Sequence, residues 1–233
     1  MIHLATKALV GLLTDLAHTS ADTDMHGSGI LLHSARGYAD PAEPGKTDLL
    51  AGTSTTGFHC GHTWVSAAGS LGVMRWALDD VQSVISTFKK KSKGHKEHAV
   101  DILRDGDHVT VAEDPKLWGE TSMTFQVLPL DDYPRDLWRV MEGHQRVELD
   151  TDPMPRTDIG PHALGVLAKV AQRHKAPIEL YRYHQRRAVL VQIGDRYRGA
   201  VYPQRWDADV ALSAGEQPSS DLYPPVLPDP VEA

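Results

Sequence analysis

A helical stripe that returns three times limits this chain more than any other feature. Leu9, Leu12, Leu13 and Leu16 fall at i, i+3, i+4 and i+7, the spacing that gathers side chains on one face of an α-helix. Val81, Val84, Ile85 and Phe88 repeat the pattern, and Leu164, Leu167, Ala168 and Ala171 repeat it again. The predicted helices run Lys7 to His18, Asp79 to Lys91 and His162 to His174. Each follows a short β-prone segment: Ile2 to Ala5, Val73 to Leu78, and Arg156 to Ile159. Each is followed by β-rich runs broken by turn residues. In the last unit these runs are Ile178 to Tyr183, Ala188 to Ile193 and Tyr197 to Tyr202. A unit of this size cannot bury its helix face alone, so the copies must cover one another. The chain is therefore read as α+β, three βαβββ units in sequence.

The boundaries follow from the turn signals. Unit one spans residues 1–69 and unit two residues 70–143, together one domain; residues 144–155 connect to unit three at 156–206. In unit one the predicted strands are Gly29 to Ser34, Leu49 to Thr53 and Thr63 to Ala67, with Gly57 and Gly61 as turns. In unit two, Asp79 or Asp80 is the expected helix cap, and Asp105-Gly106-Asp107 is a hairpin signal. The stretch 207–233 is rich in proline and acids without apolar period, and is expected to be a disordered tail.

Composition excludes several classes. No apolar run approaches the ~18 residues of a membrane span, and no basic segment with a cleavage site opens the chain. The single cysteine, Cys60, permits no internal disulfide, and a cytoplasmic protein is expected. The net charge of −7 argues against a generally basic nucleic-acid binder and leaves local patches open.

No phosphate loop, nucleophile elbow or metalloprotease motif is present, so no enzyme and no cofactor is expected. His59-Cys60-Gly61-His62 gathers three soft-metal ligands in four residues. Metal sites normally need a second spaced pair, and neighbouring strand residues point to opposite faces. The cluster reads better as a surface turn. Asp131 and Asp132, beside Pro134, read as a solvated turn.

The helices carry the stronger signal. Opposite the apolar stripes lie Lys7, Gly11, Thr14 and His18; then Ser83, Ser86 and Lys90; then His162, Lys169 and Arg173. A basic run, Lys89 to Lys96 (KKKSKGHK), lies at the end of the second helix. An acidic chain that keeps carboxylates off three helix faces has polarised its charge. Such faces attract a phosphate backbone without reading its sequence.

The ordered set of units resembles the bacterial β sliding clamp, the ring that tethers a replicative polymerase to its template. Asp158 to Trp206 is similar to the clamp's final half-domain, with Tyr202-Pro203-Gln204-Arg205-Trp206 in place of its closing Met-Pro-Met-Arg-Leu. Thr55-Thr56-Gly57-Phe58-His59-Cys60 stands where the clamp's middle domain has Thr-Asp-Gly-His-Arg-Leu, and Leu130-Asp131-Asp132-Tyr133-Pro134 lies near its Gly-Lys-Phe-Pro-Asp-Tyr element.

The resemblance implies helices lining the inner face of a ring, with curved antiparallel sheets outside. It implies duplex DNA as a partner, faced by Lys7, His18, Lys89, Lys90, Lys91, Lys93, His162, Lys169 and Arg173. It implies a groove that takes short linear peptides from the polymerase and clamp loader. Carried over by position, the groove is Thr55, Gly57, Phe58, His59 and Cys60; Leu78 and Val81; and Ala200, Tyr202, Pro203, Gln204 and Arg205. Phe58 stands for a histidine, His59 for an arginine, and Tyr202 and Gln204 for adaptable methionines, which implies a stiffer lining. Family rings hold twelve half-domain units. Three per chain imply a homo-oligomer, four copies by division or three if a fourth unit forms, as in a small replicon such as a phage. The rival readings are a clamp-derived peptide adaptor that does not encircle DNA, and a metal-dependent enzyme using His59, Cys60 and His62.

Overall fold

The computed structural model describes residues 1–21, 27–38, 45–94, 97–113, 120–131, 133, 134, 137, 159–182 and 188–202. Among them are three helices: α1 (Thr6–His18), α2 (Leu78–Gly94) and α3 (Pro161–His174). The strands are β1 (Ile2–Ala5), β2 (Ile30–Gly37), β3 (Thr47–Thr55), β4 (His59–Ser66), β5 (Ala68–Gly69), β6 (Met74–Trp76), β7 (Ala99–Asp105), β8 (His108–Glu113), β9 (Ser122–Gln126), β10 (Ile178–Arg182), β11 (Val189–Ile193) and β12 (Tyr197–Val201). Most of the β-prone segment expected before α3, residues 156–158, lies outside the described residues, as do the connector and the tail.

The strands form two antiparallel sheets, ordered β5-β1-β7-β8-β9 and β10-β11-β12-β4-β3-β2-β6. In units one and two, the strand before each helix leaves its own unit. β1 pairs with β7 of unit two, Ile2 opposite Ile102, and β6 pairs with β2 of unit one, Trp76 opposite Ile30. Units one and two thus complete each other reciprocally. Unit three joins at the far edge, where β12 pairs with β4, Ala200 opposite Cys60.

The main core is shared by α1, α2 and both sheets. Leu9, Leu12, Leu13 and Leu16 meet Val81, Val84 and Phe88 over Ile2, Ile30, Leu50, Trp76, Ile102 and Val111. Each such side chain contributes ~1.5–3 kcal/mol on leaving water. A smaller core joins Ala163, Leu167 and Val170 of α3 to Val191, Ile193, Tyr197 and Val201.

Three local expectations are corrected. In α3 the buried positions are Ala163, Val166, Leu167 and Val170, whereas Leu164 and Ala168 of the expected stripe are exposed. Its apolar arc is wider than the one sheet beneath it. In α2, Asp79 and Asp80 stand in the first turn and do not cap it; there they favour the helix dipole. Gly61 is no turn. It lies inside β4, where a Cβ would meet the Tyr197 hydroxyl at 2.5 Å and Thr19 Oγ1 at 2.6 Å. The turn belongs to Gly57, at φ +85°.

Candidate DNA-facing and peptide-binding surfaces

Two of the helix cations, Lys91 and Arg173, pair with carboxylates of the protein. Lys7, Lys89, Lys90, His162 and Lys169 are exposed, and His18 is half-buried. Lys169 lies near enough to His18 to depress its pKa further below the usual imidazole range, after burial, the larger cause. Lys91 is committed elsewhere. Its ammonium meets the enclosed Glu113 carboxylate at 2.8 Å and also donates to Thr121. Burial alone would raise the Glu113 pKa; the Lys91 and Thr121 hydrogen bonds hold it below the usual carboxylate range. Glu113 also bonds His98 Nε2 at 3.1 Å, and His98 Nδ1 bonds Thr6 Oγ1 at 2.7 Å, tying α2 to the start of α1. The Lys93 side chain lies outside the described residues.

Arg173 is engaged too. Its guanidinium pairs with Asp15 of α1, a carboxylate with no solvent exposure. Gly11 makes the approach possible, since a Cβ there would stand 2.9 Å from Arg173 Nη1. His174 Nε2 lies 2.9 Å from the same Asp15 carboxylate. Burial first, then Arg173 and Arg196, lower the His174 pKa to about 4, and the same ring nitrogen stands 2.8 Å from Arg173 Nη2. The one carboxylate of α1 is therefore hidden and paired. Among the described residues of the three helices only Asp79 and Asp80, in the first turn of α2, remain as further acids.

The proposed groove residues fall into a visible rim and a buried floor. Phe58 and Tyr202 are neighbours: the Tyr202 amide donates to the Phe58 carbonyl at 2.9 Å. Both rings face solvent, Phe58 71% and Tyr202 42% exposed, among the most exposed large apolar side chains described. Thr55 is buried and holds the turn, its hydroxyl donating to the His59 carbonyl at 3.1 Å and accepting from the Gly57 amide at 3.0 Å. Beneath the rim, Cys60 and Ala200 are buried in a cluster with Leu31, Ala188, Leu190, Tyr133 and Leu137. Burial pushes the Cys60 thiol up to about 12.

Leu78 and Val81 do not belong to that floor. Both are buried, and Val81 is packed into the helix-side core. Their place is taken by Tyr133 and Leu137, from the segment after β9. Tyr133 donates its hydroxyl to the Thr53 carbonyl at 3.0 Å, and the Arg75 guanidinium stands 5.6 Å from its ring centre. Arg75 is itself fixed by the carbonyls of Ser28 and Pro129. Nothing in local periodicity marked Tyr133 and Leu137 for this role, because their contact crosses from one unit to another. Pro203, Gln204 and Arg205 lie outside the described residues.

The histidine–cysteine cluster is part of β4 and not a surface turn. His59 faces α3, its ring 5.9 Å from that of His162. Cys60 packs into the floor cluster, and His62 bonds Thr53 Oγ1 at 2.9 Å. The three ligands are thus drawn to separate partners, and the described residues contain no group of three that would hold a metal. No described helix is long and apolar enough to cross a membrane.

No protein-family model matches the sequence, and no curated protein matches it. Solved structures do. The β subunit of DNA polymerase III from Pseudomonas aeruginosa superposes with a TM-score of 0.61 at 10% identity, over 89% of this chain and 66% of that one. The β subunit from Thermotoga maritima gives 0.58 at 13%, over 88% and 65%. The β chain from Streptococcus pneumoniae gives 0.59 at 10%, over 97% and 68%. The fold is that of a DNA sliding clamp. The chain spans about two thirds of the length of these solved clamps. β4 and β12 pair as neighbours in the seven-stranded sheet, and the Phe58–Tyr202 rim sits at the end of that seam.

Proposed function

We propose that this chain is a sliding-clamp-like processivity factor, without catalytic activity, that encircles duplex DNA as an oligomeric ring and docks polymerase peptides at the Phe58–Tyr202 rim. The observation that carries the reading is the treatment of charge on the helices. The α1 carboxylate is buried and neutralised by Arg173, while Lys7, Lys90 and Lys169 face solvent in a protein of net charge −7. Exposed cations on helix faces hold phosphates through counterion release and let a protein slide. The rim supports the second half: two exposed aromatic rings beside an apolar floor fit the anchor-in-pocket chemistry of short peptides.

The adaptor reading shares the rim and lacks the ring. Retention on DNA separates them. Loaded on a nicked circle, a ring stays bound through a high-salt wash and is lost when the circle is linearised. Equal loss from both forms would leave the adaptor as the better account.

A further inference from the structure

The floor of the rim is not carried by the strands that form the rim. Tyr133 and Leu137 come from the chain after β9, which crosses unit one to reach the cluster of Leu31, Cys60 and Ala200. Arg75 stands where that crossing begins. It lies on β6, the last strand of the seven-stranded sheet, and pairs with Leu31 of β2, so the two side chains share a face. Their neighbours Ile30 and Trp76 point the other way, into the helix-side core.

Arg75 is 2% exposed and meets the crossing segment three times. Its Nη1 donates to the Pro129 carbonyl at 2.9 Å, and its guanidinium stands 5.6 Å from the centre of the Tyr133 ring. Its own carbonyl accepts the Leu128 amide at 2.8 Å. The Nε donates the other way, to the Ser28 carbonyl at 2.7 Å, and so ties in a second support. Gly27, next to Ser28 and at φ +78°, lies against Pro134: a Cβ there would stand 3.0 Å from Pro134 Cδ. The Tyr133 hydroxyl then anchors the segment to the Thr53 carbonyl. A planar guanidinium holds several such partners at once because its donors form a rigid fork.

We propose that Arg75 is the positioning residue of the peptide site: it fixes the segment 128–134 and, through it, holds the Tyr133 and Leu137 floor in place under the Phe58–Tyr202 rim. The inference rests on the rim being the peptide site. Arg75 is buried, so it reaches a bound peptide only through Tyr133. A floor fixed in advance spares the peptide the cost of ordering it. Without the guanidinium, the Ser28 and Pro129 carbonyls lose this donor, and the segment is free to lift from Leu31 and Cys60.

Two readouts on the full chain test it. One is the affinity of a fluorescein-labelled peptide selected on the wild type. The other is the rate at which a thiol reagent labels Cys60 under native conditions. Cys60 is the chain's one cysteine and is buried in the same cluster as Tyr133, so its labelling reports whether the floor opens. Arg75→Met is expected to weaken the peptide by about tenfold, the scale of a lost hot spot, and to speed Cys60 labelling by about tenfold through local opening. Val81→Ala is the control: it loosens the helix-side core and should leave both readouts near wild type. Gly27→Ala presses on Pro134 without altering Arg75, and should act like Arg75→Met; it decides the case if Arg75→Met does not fold. Faster labelling with unchanged peptide affinity overturns the proposal, since Arg75 would then serve the fold alone. Equal effects from Val81→Ala overturn it too. Weakening by Tyr202→Ala but not by Arg75→Met or Gly27→Ala rejects the positioning role and keeps the rim. Unchanged affinity in all of them rejects the rim, and the positioning role with it.

Discussion

The Arg173 guanidinium closes on the fully buried Asp15 carboxylate and so clasps α3 to α1. The two residues are far apart in sequence, and Gly11 leaves the space between them. The pair is asymmetric: Asp15 has no contact with water, while about a third of the Arg173 side chain does. Removing Arg173 strands a buried charge, whereas removing Asp15 leaves a cation that can turn to solvent. Arg173→Ala is therefore expected to cost about 3 kcal/mol and Asp15→Asn distinctly less. Urea unfolding of both variants checks the order; equal or reversed losses would count against the clasp.

Stability should fall in acid as histidines charge. His174 is held to about 4 by burial, then by Arg173 and Arg196, and burial also lowers His18, His33 and His59 below the usual imidazole range. A lowered folded pKa means that the unfolded chain binds more protons between the two values. The stabilisation is fully present above about pH 6.5 and is lost as pH falls towards the folded pKa. For His174 that window closes near 4. His174→Gln should flatten the slope of unfolding free energy against pH between these limits. An unchanged slope would remove His174 from the explanation.

DNA association should depend on Lys90 and Lys169 and not on Lys91 or Arg173, which are paired with Glu113 and Asp15. Lys90→Glu with Lys169→Glu is expected to weaken binding to duplexes of any sequence and to reduce the steepness of its salt dependence, by roughly one unit of slope per lost phosphate contact. Binding titrations at several salt concentrations read this directly. Lys91→Ala should chiefly lower stability, since it leaves the enclosed Glu113 carboxylate with one cation fewer. A steep salt slope that survives in the double variant would place DNA elsewhere on the protein.

At the rim, Tyr202→Ala should weaken peptides selected on the wild-type chain by more than ~1 kcal/mol, the scale of an interface hot spot. Phe58→Ala should do the same. Val81→Ala acts in the helix-side core and should destabilise the fold without a specific effect on peptide affinity. Calorimetry on folded variants separates the cases. Unchanged affinity in Tyr202→Ala would move the groove away from this seam.

The sequence alone determined the three helices, the β-rich runs after them and the α+β class, because these depend on local periodicity. A stripe at 3.6-residue spacing or an alternating run is written within a dozen neighbours. It also marked the helix cations and the aromatic pair, since residue type is enough to name them. Only the tertiary structure decided which cations pair with carboxylates. Lys91 and Arg173 look like Lys90 and Lys169 along the chain, and differ because Glu113 and Asp15 arrive from other elements. It decided that Gly61 is a place for the Tyr197 hydroxyl and not a turn. It replaced Leu78 and Val81 by Tyr133 and Leu137 at the floor of the rim. It also turned α3 so that Ala163, Val166, Leu167 and Val170 are buried and Leu164 faces outward. In each case the deciding neighbour lies in another element, and no local pattern encodes a contact made across units.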